Sequence, residues 1–262
     1  MMWQGKRALV TGASAGIGSA FAKELAAAGV HLVITARRED RLQALASELK
    51  STYGIEVHVV TADLGSFDGA AVVENFLKAE KLEIDILVNN AGFGIAGSFV
   101  ETAPEKVMGM IQVNITSLVE LTYRLLPGML ERKSGHIMLV GSLNAFMSVP
   151  TFAVYSATKA FVRSFGEGLA GECAGSGVSV TTVHPGGTAT EFSDVAEMNV
   201  SSLLEKGMMT PGQVAQIAVS ASRRGAVSVV TGLMNKVVVF LLWLTPGCMV
   251  RAGAKFGYGL MK

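Results

Sequence analysis

The sequence predicts one α/β domain, in which a doubly wound parallel sheet of about seven strands lies between two layers of helices. Three observations predict this three-layer arrangement. Half of the 262 residues are apolar and only 16% are charged, which supplies a large core and excludes a disordered chain. Short β-branched runs alternate with longer segments of helical composition, as in right-handed βαβ units. No Pro/Gly/Ser-rich linker or internal repeat interrupts them, so we expect a single domain over residues 1–262.

The expected strands are short, and several are continuously apolar, which is typical of strands covered on both faces. They are Ala8–Thr11, His31–Thr35, Glu56–Thr61, Ile84–Asn89, Gly135–Val140, Val178–His184 and Val227–Thr231. The segments between them are long enough for helices, and Pro104 and Pro211 each suit a first helical turn. The expected helices are Ile17–Ala28, Arg38–Tyr53, Ser66–Lys81, Pro104–Arg132, Phe152–Gly171 and Pro211–Arg223.

Charge and cysteine content exclude several classes of protein. The 22 basic residues nearly balance the 21 acidic ones and form no run, so we expect no nucleic-acid partner. Cys173 and Cys248 form no CxxC motif, and the four histidines show no ligand spacing. We therefore expect neither a disulfide scaffold nor a metal site.

The two ends of the chain bear on where the protein acts. The first strand follows Met1 too soon for a signal peptide, so we expect a cytoplasmic protein, with membrane association left open. The open point is Val237–Leu244, in a C-terminal extension over residues 233–262. Its eight apolar residues are too few for a spanning helix, which needs about 20. A buried or subunit-contact role is favoured over contact with a membrane surface.

A glycine-rich turn follows the first strand and leads into the first helix. Gly12, Gly16 and Gly18 have the spacing GxxxGxG, with Ser14 and Ile17 between them. Glycines let the backbone approach a pyrophosphate, and the helix N-terminus supplies free N–H groups and a positive dipole. The Lys-Ser/Thr of a triphosphate-binding loop is absent, so the pattern favours a dinucleotide.

The end of the second strand bears on which dinucleotide is bound. An acidic residue there would hold a ribose 2′-hydroxyl, whereas an arginine accommodates a 2′-phosphate. Ala36 ends the strand, and Arg37 and Arg38 follow. With Ser14 as a further hydroxyl donor, these guanidinium groups favour NADP (NADPH) over NAD. The alternative is that the arginines form only the solvated start of the next helix.

A serine and a Tyr-x-x-x-Lys pair form the candidate catalytic group. Ser142 follows the fifth strand at the carboxyl edge of the sheet, where doubly wound folds bind ligands. On a helix, Tyr155 and Lys159 would face the same way. We expect the lysine ammonium to lower the pKa of the tyrosine, so that the phenol exchanges a proton with an alcohol or carbonyl oxygen. Ser142 would orient that oxygen.

Together these motifs resemble the short-chain dehydrogenase/reductase family, whose members have a Rossmann fold, and the resemblance covers about residues 5–232. It implies that Asn114 holds a water in a proton relay with Ser142, Tyr155 and Lys159, and that Tyr155 and Lys159 also contact the cofactor. The other implied cofactor contacts are Asp63 and Leu64 at the adenine, Asn90, Ala91 and Gly92 after the fourth strand, and Pro185, Gly186 and Thr188 at the nicotinamide carboxamide.

Three polar residues, Asp63, Asn114 and His184, also have structural interpretations. Asp63 could instead cap a turn before Ser66, and Asn114 could be a buried helix residue with a backbone partner. His184, which precedes Pro185, is favoured as a strand-end residue over a catalyst.

The substrate side is apolar. By the same resemblance, residues 187–210 close over the substrate as a lid. Met and aliphatic residues are frequent in this segment, and no basic residue lies between Glu191 and Glu205, which favours an uncharged, apolar substrate. The helix Phe152–Gly171 carries small residues, and the equivalent helix of relatives often joins subunits, so we expect a homodimer or homotetramer.

The leading hypothesis is an NADP(H)-dependent oxidoreductase that moves hydride between nicotinamide and a carbonyl or alcohol carbon of an apolar ketone, aldehyde, steroid-like or acyl-like substrate. The alternatives are a 3-oxoacyl reductase of lipid synthesis, and an NADP-binding scaffold or membrane-associated regulator without turnover. A sugar-nucleotide epimerase or dehydratase is disfavoured, because no separate substrate domain follows.

Overall fold

The computed structural model describes residues 3–191, 208–247, 249–250 and 253. Its strands are β1 (Arg7–Thr11), β2 (His31–Ala36), β3 (Val57–Thr61), β4 (Ile86–Asn89), β5 (Gly135–Val140), β6 (Val178–His184) and β7 (Ser228–Val230). All seven pair in parallel in one sheet, in the order β3-β2-β1-β4-β5-β6-β7. The chain moves outward from β1 to β3 and then returns to β4 beside β1. The carboxyl ends of β1 and β4 therefore flank the switch point where open α/β sheets bind ligands.

Helices cover both faces of the sheet. They are α1 (Gly16–Ala27), α2 (Glu39–Tyr53), α3 (Gly69–Ala79), α4 (Pro104–Ile111), α5 (Ser117–Glu131), α6 (Ala153–Glu172), α7 (Pro211–Arg223) and α8 (Leu233–Leu244). On one face, α1, α2 and α7 supply buried residues to a core that includes Val10 of β1. On the other face, α3, α5 and α6 supply those of a core that includes Leu9. This alternation confirms the predicted doubly wound, three-layer fold.

The single helix expected over Pro104–Arg132 is two α-helices joined by a π turn at Gln112–Thr116. In this turn the backbone N–H of Ser117 donates to the carbonyl of Gln112, five residues earlier. The extra residue lets α4 and α5 follow one another while Asn114 is presented at the bend. Turns of this kind are frequent at functional sites.

The apolar run Val237–Leu244 forms most of α8, a helix that the sequence interpretation did not assign. Among the helices described, none is both long and apolar enough to cross a membrane. The lid residues 192–207 and Cys248 lie outside the described residues. Cys173 is buried with a free thiol, and no cluster of metal-ligating side chains occurs within residues 3–191 or 208–247.

Candidate active site

The glycine turn joins the end of β1 to the start of α1. Gly12 and Gly16 have φ values of 65° and 54°, in the left-handed region that favours glycine. A Cβ atom at Gly18 would clash with the carbonyl oxygen of Gly12, so a glycine is needed for α1 to approach the turn this closely. Ile17, between them, packs against the core beneath. The turn is therefore built so that main chain, and not side chain, faces the switch point.

The N-terminus of α1 can receive an anion. Ala15 precedes the helix and gives it no side-chain cap. The first N–H groups of a helix have no acceptor within the helix, and the helix dipole adds positive potential there. These N–H groups, beside a backbone cleared of side chains, fit the pyrophosphate of a dinucleotide.

Asn90 and Thr11 hold the turn to the end of β4. The Asn90 side-chain amide donates to the carbonyl of Thr11 at 2.9 Å, and the Thr11 hydroxyl accepts from the backbone N–H groups of Asn90 and Ala91, both at 2.9 Å. Thr11 is buried and was not among the predicted site residues. Its signal in the sequence is its place as the last residue of the first strand, directly before Gly12.

Beyond the turn, Arg38 lies beside Ser14. The Arg38 guanidinium donates to the Ser14 hydroxyl at 3.1 and 3.3 Å, which brings together two of the three residues proposed for a 2′-phosphate. Glu191 bridges Arg38 and Arg41, at 2.9 and 2.6 Å, and these hydrogen bonds hold the pKa of its carboxyl below the usual value. Arg37 is exposed, and no ion pair joins it to any residue that the structure describes. The sequence interpretation missed Glu191 and Arg41.

Asp63 takes part in the turn after β3. Its carboxylate accepts from the backbone N–H of Gly65 at 2.8 Å, and its carbonyl accepts from both the N–H and the hydroxyl of Ser66. These bonds explain why α3 begins at Gly69 and not at Ser66 as expected. The structural interpretation of Asp63 thus holds, and its exposed carboxylate still faces solvent beside the buried Leu64.

Ser142 stands directly after β5 and is held from both sides. The N–H groups of Gly141 and Leu143 donate to the carbonyls of Val183 and Pro185, at 2.7 and 2.9 Å. The Ser142 hydroxyl accepts from the Asn144 N–H at 3.1 Å and caps a short 3-10 turn at Leu143–Ala145. The segment that carries the hydroxyl is therefore fixed to the extension of β6.

His184 fills the space beneath this serine segment. Its ring is fully buried at the end of β6, 4.8 Å from the ring of Phe146, and a Cβ at Gly141 would lie 2.7 Å from its Nδ1. Burial lowers its pKa to about 4, so the ring is neutral at pH 7. The position fits the structural interpretation of His184 at the strand end.

Tyr155 and Lys159 lie in the first two turns of α6 and point to the same side. Lys159 Nζ is 5.8 Å from the Tyr155 ring centre and donates to the Val140 carbonyl at 2.8 Å. Both side chains are almost fully buried. Burial raises the pKa of Tyr155 to about 12, with a hydrogen bond to Ser142 acting in the opposite direction, and burial lowers the pKa of Lys159 to about 8.

The pKa of Tyr155 therefore contradicts the expectation that Lys159 would lower it. The reason is that loss of hydration outweighs the contribution of the Ser142 hydroxyl, while the lysine ammonium is engaged with a backbone carbonyl of β5. Tyr155 is a neutral phenol in this state and can donate a proton.

Asn114, in the π turn, has its side chain fully engaged. Its Oδ1 accepts from the Phe93 N–H at 3.1 Å, and its Nδ2 donates to the Phe93 carbonyl and to the Thr158 hydroxyl, both at 3.0 Å. Thr158 in turn donates to the carbonyl of Tyr155. This backbone pairing matches the structural interpretation of Asn114, and Thr158 is a site neighbour that the sequence interpretation missed.

Gly92 connects the two halves of the site. A Cβ there would lie 2.9 Å from Asn114 Oδ1 and 3.4 Å from Lys159 Nζ. Gly92 follows Asn90 and Ala91, which hold the glycine turn. The candidate catalytic group and the turn thus meet at the carboxyl ends of β1, β4 and β5.

The segment after β6 lies against the start of α8. Asn235 occupies the space that a Cβ at Gly186 would need, and it donates to the Thr231 carbonyl at 2.7 Å. The Thr188 hydroxyl donates to the Gly186 carbonyl at 3.1 Å, and Thr188 bridges in parallel to Met209. The sequence interpretation placed Pro185, Gly186 and Thr188 here but gave no signal for Asn235.

Known proteins resemble this chain in sequence and in fold. A sequence model of the short chain dehydrogenase family matches residues 6–200. The very-long-chain 3-oxoacyl-CoA reductase of Anas platyrhynchos is 37% identical over 199 residues, 74% of this chain, and the match spans 63% of that reductase. A short-chain dehydrogenase from Sphingobium yanoikuyae, solved with NADPH, is 34% identical with a TM-score of 0.79 and covers 86% of this chain and 87% of its own. The bulky-bulky ketone specific alcohol dehydrogenase of Comamonas testosteroni is 29% identical with a TM-score of 0.76, over 86% of this chain and 85% of its own.

Proposed function

Because the chain belongs to the short-chain dehydrogenase family of oxidoreductases, we propose that it transfers hydride between NADP(H) and the carbonyl or alcohol carbon of an apolar substrate. The observation that carries the proposal is the meeting of Ser142, Tyr155 and Lys159 at the carboxyl edge of the sheet. Gly92 joins this group to the glycine turn. The proposed proton donor, Tyr155, therefore lies beside the proposed dinucleotide-binding site at the glycine turn.

In this proposal the cofactor, when bound, supplies or accepts the hydride. Tyr155, a neutral phenol with a pKa of about 12, donates its proton to the carbonyl oxygen during reduction. Ser142 orients that oxygen and, through its hydrogen bond to Tyr155, stabilises the phenolate that remains, while Lys159, mostly protonated at pH 7, contacts the nicotinamide ribose. Asn114, whose side chain is engaged by Phe93 and Thr158, would hold the relay water of this group.

The dinucleotide contacts are proposed on the same geometry. Gly12, Ser14, Gly16, Ile17 and Gly18 would receive the pyrophosphate and adjacent ribose through main-chain N–H groups. The remaining proposed contacts are Asp63 and Leu64 at the adenine, Asn90, Ala91, Gly92, Tyr155 and Lys159 along the ribose and nicotinamide, and Pro185, Gly186 and Thr188 at the carboxamide.

The preference for NADP over NAD rests on the arginines after β2. Arg38 is already placed beside Ser14, and Arg37 is exposed at the same strand end. A 2′-phosphate would compete with Glu191 for Arg38. Arg37→Asp should weaken NADPH binding far more than NADH binding, measured by fluorescence titration, and equal losses for both cofactors would contradict the assignment.

The central test is Tyr155→Phe, assayed with NADPH and a panel of apolar ketones and aldehydes. We expect turnover to fall by about a hundredfold or more, because the ring remains and the proton donor is lost. The dissociation constant for NADPH, measured on the same protein, should rise far less than turnover falls, because only one of many proposed cofactor contacts is lost. Unchanged turnover would contradict the proposal, and binding of NADPH by the unmodified protein without any turnover would favour the scaffold alternative.

The likeness to a 3-oxoacyl-CoA reductase supports a second candidate substrate class, 3-oxoacyl thioesters. The missing basic residues between Glu191 and Glu205 favour an uncharged substrate over a thioester with an anionic carrier. Comparing kcat/KM for a long-chain 3-oxoacyl thioester with that for an uncharged ketone of equal chain length separates the two candidates.

We also propose a homo-oligomer formed through the outer face of α6. Gly168 and Gly171 face open space there, and the ring of Phe161, which stacks on Phe165, is partly exposed. Sedimentation of the full chain would show whether a dimer or tetramer forms, and a monomer at micromolar concentration would contradict the proposal.

A further inference from the structure

The exposed face of helix α8 is mostly apolar, whereas the exposed face of an ordinary surface helix is mostly polar. None of its residues is buried, and its large apolar side chains are among the most exposed in the molecule, with Leu233 and Trp243 both at 80%. Surface helices of globular proteins normally turn their apolar stripe to the core and their charges to solvent. In α8 seven large apolar side chains face outward.

The exposed residues share one side of the helix. With about 100° of rotation per residue, the exposed positions fall within roughly half of its circumference. They are Leu233, Met234, Lys236, Val237, Phe240, Leu241, Trp243 and Leu244. The half-buried positions Asn235, Val238, Val239 and Leu242 occupy the other half and face the body of the protein. The outer face is therefore an apolar surface about 18 Å long, with Lys236 as its charged residue.

We propose that this outer face of α8 lies in the surface of an anionic lipid bilayer. Charge favours this occupant: the sequence from 233 to 262 contains Lys236, Arg251, Lys255 and Lys262 and no acidic residue, whereas the whole chain has a net charge of only +1. Basic residues near an apolar helix face attract anionic headgroups. A helix of 12 residues is too short to span the bilayer but long enough to lie in its interface.

The same features disfavour a second copy of the chain on this face. Two copies paired through this face would bring two Lys236 ammonium groups close together. A helix pair also needs only a narrow apolar seam, whereas the apolar face of α8 covers about half of the helix. Trp243, with its amphipathic ring near the end of the helix, is a residue type enriched at the membrane–water interface.

The helix is held to the body at its first turn. Gly232, with a φ of 84°, turns the chain out of the sheet, and Asn235 packs against Gly186 while donating to the Thr231 carbonyl. The proposed lipid-binding face is thus fixed next to the segment Pro185–Thr188. A bilayer on that face would lie beside the candidate site.

Intrinsic fluorescence tests this with the full chain. The protein has two tryptophans, and Trp3 is fully buried, so a change on addition of lipid reports on Trp243. Vesicles of mixed phosphatidylcholine and phosphatidylglycerol should shift the emission to the blue, protect Trp243 from acrylamide and carry the protein upward in flotation. Vesicles of phosphatidylcholine alone should bind it more weakly, because the anionic headgroups are missing.

Substitutions on the outer face of α8 test whether this face is the one that binds lipid. Phe240→Ser together with Leu241→Ser should lower the partition coefficient by about a hundredfold, and Lys236→Gln by about fivefold with a weaker dependence on salt. Phe67→Ser is the matched control, since Phe67 is 89% exposed before α3 and should leave partitioning unchanged. Circular dichroism and thermal unfolding establish that each variant is folded.

Three outcomes would overturn the proposal. The first is a folded protein that binds neither kind of vesicle. The second is a dimer in sedimentation that the double substitution dissociates, with no lipid binding, which would assign the face to a second copy. The third is a monomer in which Trp243 is protected from acrylamide without lipid, which would mean that the chain itself covers the face.

Discussion

The carboxylate of Glu191 occupies the guanidinium of Arg38, one of the two arginines on which the proposed cofactor preference depends. Its two oxygens accept from Arg38 and Arg41, much as two phosphate oxygens would. Binding of a 2′-phosphate at Arg38 must displace this carboxylate or share the arginine with it. We therefore expect Glu191 to influence the affinity for NADPH from outside the predicted motifs.

We expect Glu191→Gln to bind NADPH about fivefold more tightly, because a neutral amide competes less for the arginines. The affinity for NADH, measured by the same titration, should not change. Glu48→Gln is the matched control, because it removes the same charge from a surface pair with Lys23. An equal gain for NADH, or a gain in the control, would mean that net charge and not displacement is responsible.

The buried Lys159 predicts the alkaline limit of activity. Burial lowers its pKa to about 8, so the ammonium form is present at pH 7 and is lost as the pH rises through that value. We expect kcat/KM for NADPH to fall above about pH 8, since this ratio reports the groups of the free enzyme. Lys159→Arg, which stays protonated, should move the limb to higher pH even if turnover is lower. If kcat/KM falls with the same midpoint in this variant, a group other than Lys159 causes the alkaline limit.

At the scale of elements, the strands were predicted within about two residues, because buried parallel strands appear in the sequence as continuous apolar runs. The π turn was not predicted, since π and α turns do not differ in composition. Helix α8 was not assigned either, because its apolar side chains on the exposed face hide the usual amphipathic pattern.

The residues of the candidate site also fall into two groups, those that the sequence predicts and those that it does not. Gly12, Ser142 and Tyr155 stand in local motifs, so spacing along the chain identifies them. Glu191 and Asn235 enter through contacts with residues distant in sequence, and local patterns carry no information about such contacts.

Close packing at the start of α1 makes Gly18 essential for the turn. We expect Gly18→Ala to abolish measurable NADPH binding, because the new methyl group would force α1 away from the Gly12 carbonyl. Gly109→Ala, in α4, is the control: the nearest atom to its methyl group would be Phe93 Cζ at 4.0 Å, and alanine should stabilise the helix by about 0.5–1 kcal/mol. Retained NADPH binding in Gly18→Ala would show that the turn can relax.

At the scale of the whole molecule, the buried His184 and the half-buried His136 link stability to pH. Trp3 donates to Nε2 of His136 at 3.0 Å, and Ser179 lies 2.8 Å from its Nδ1. Burial lowers the pKa of both His136 and His184 to about 4, against 6.5 for an ordinary histidine. Between these values the unfolded chain takes up protons that the folded protein does not, so acidification favours unfolding.

We expect the free energy of unfolding to fall by up to about 1.4 kcal/mol per pH unit for each histidine as the pH drops from 6.5 toward 5. Urea titrations at intervals in this range measure it. The lowered pKa values of Glu56, Glu74 and Glu191 act at lower pH, since their stabilising contribution is lost only as the carboxylates protonate. His184→Leu should reduce the slope, with His136→Leu as a second variant, and an unchanged slope in both would contradict the assignment.

The contact between Gly18 and the Gly12 carbonyl also limits how descendants of this sequence can diverge. Every amino acid carries a main-chain carbonyl, so no substitution at position 12 can relieve a side chain at position 18. Gly187 differs, because the atoms nearest to its missing Cβ belong to the side chain of Met208, and a smaller residue there would make room. A lineage could therefore change position 187 after position 208, in that order, whereas no preceding substitution at position 12 makes room for a side chain at position 18.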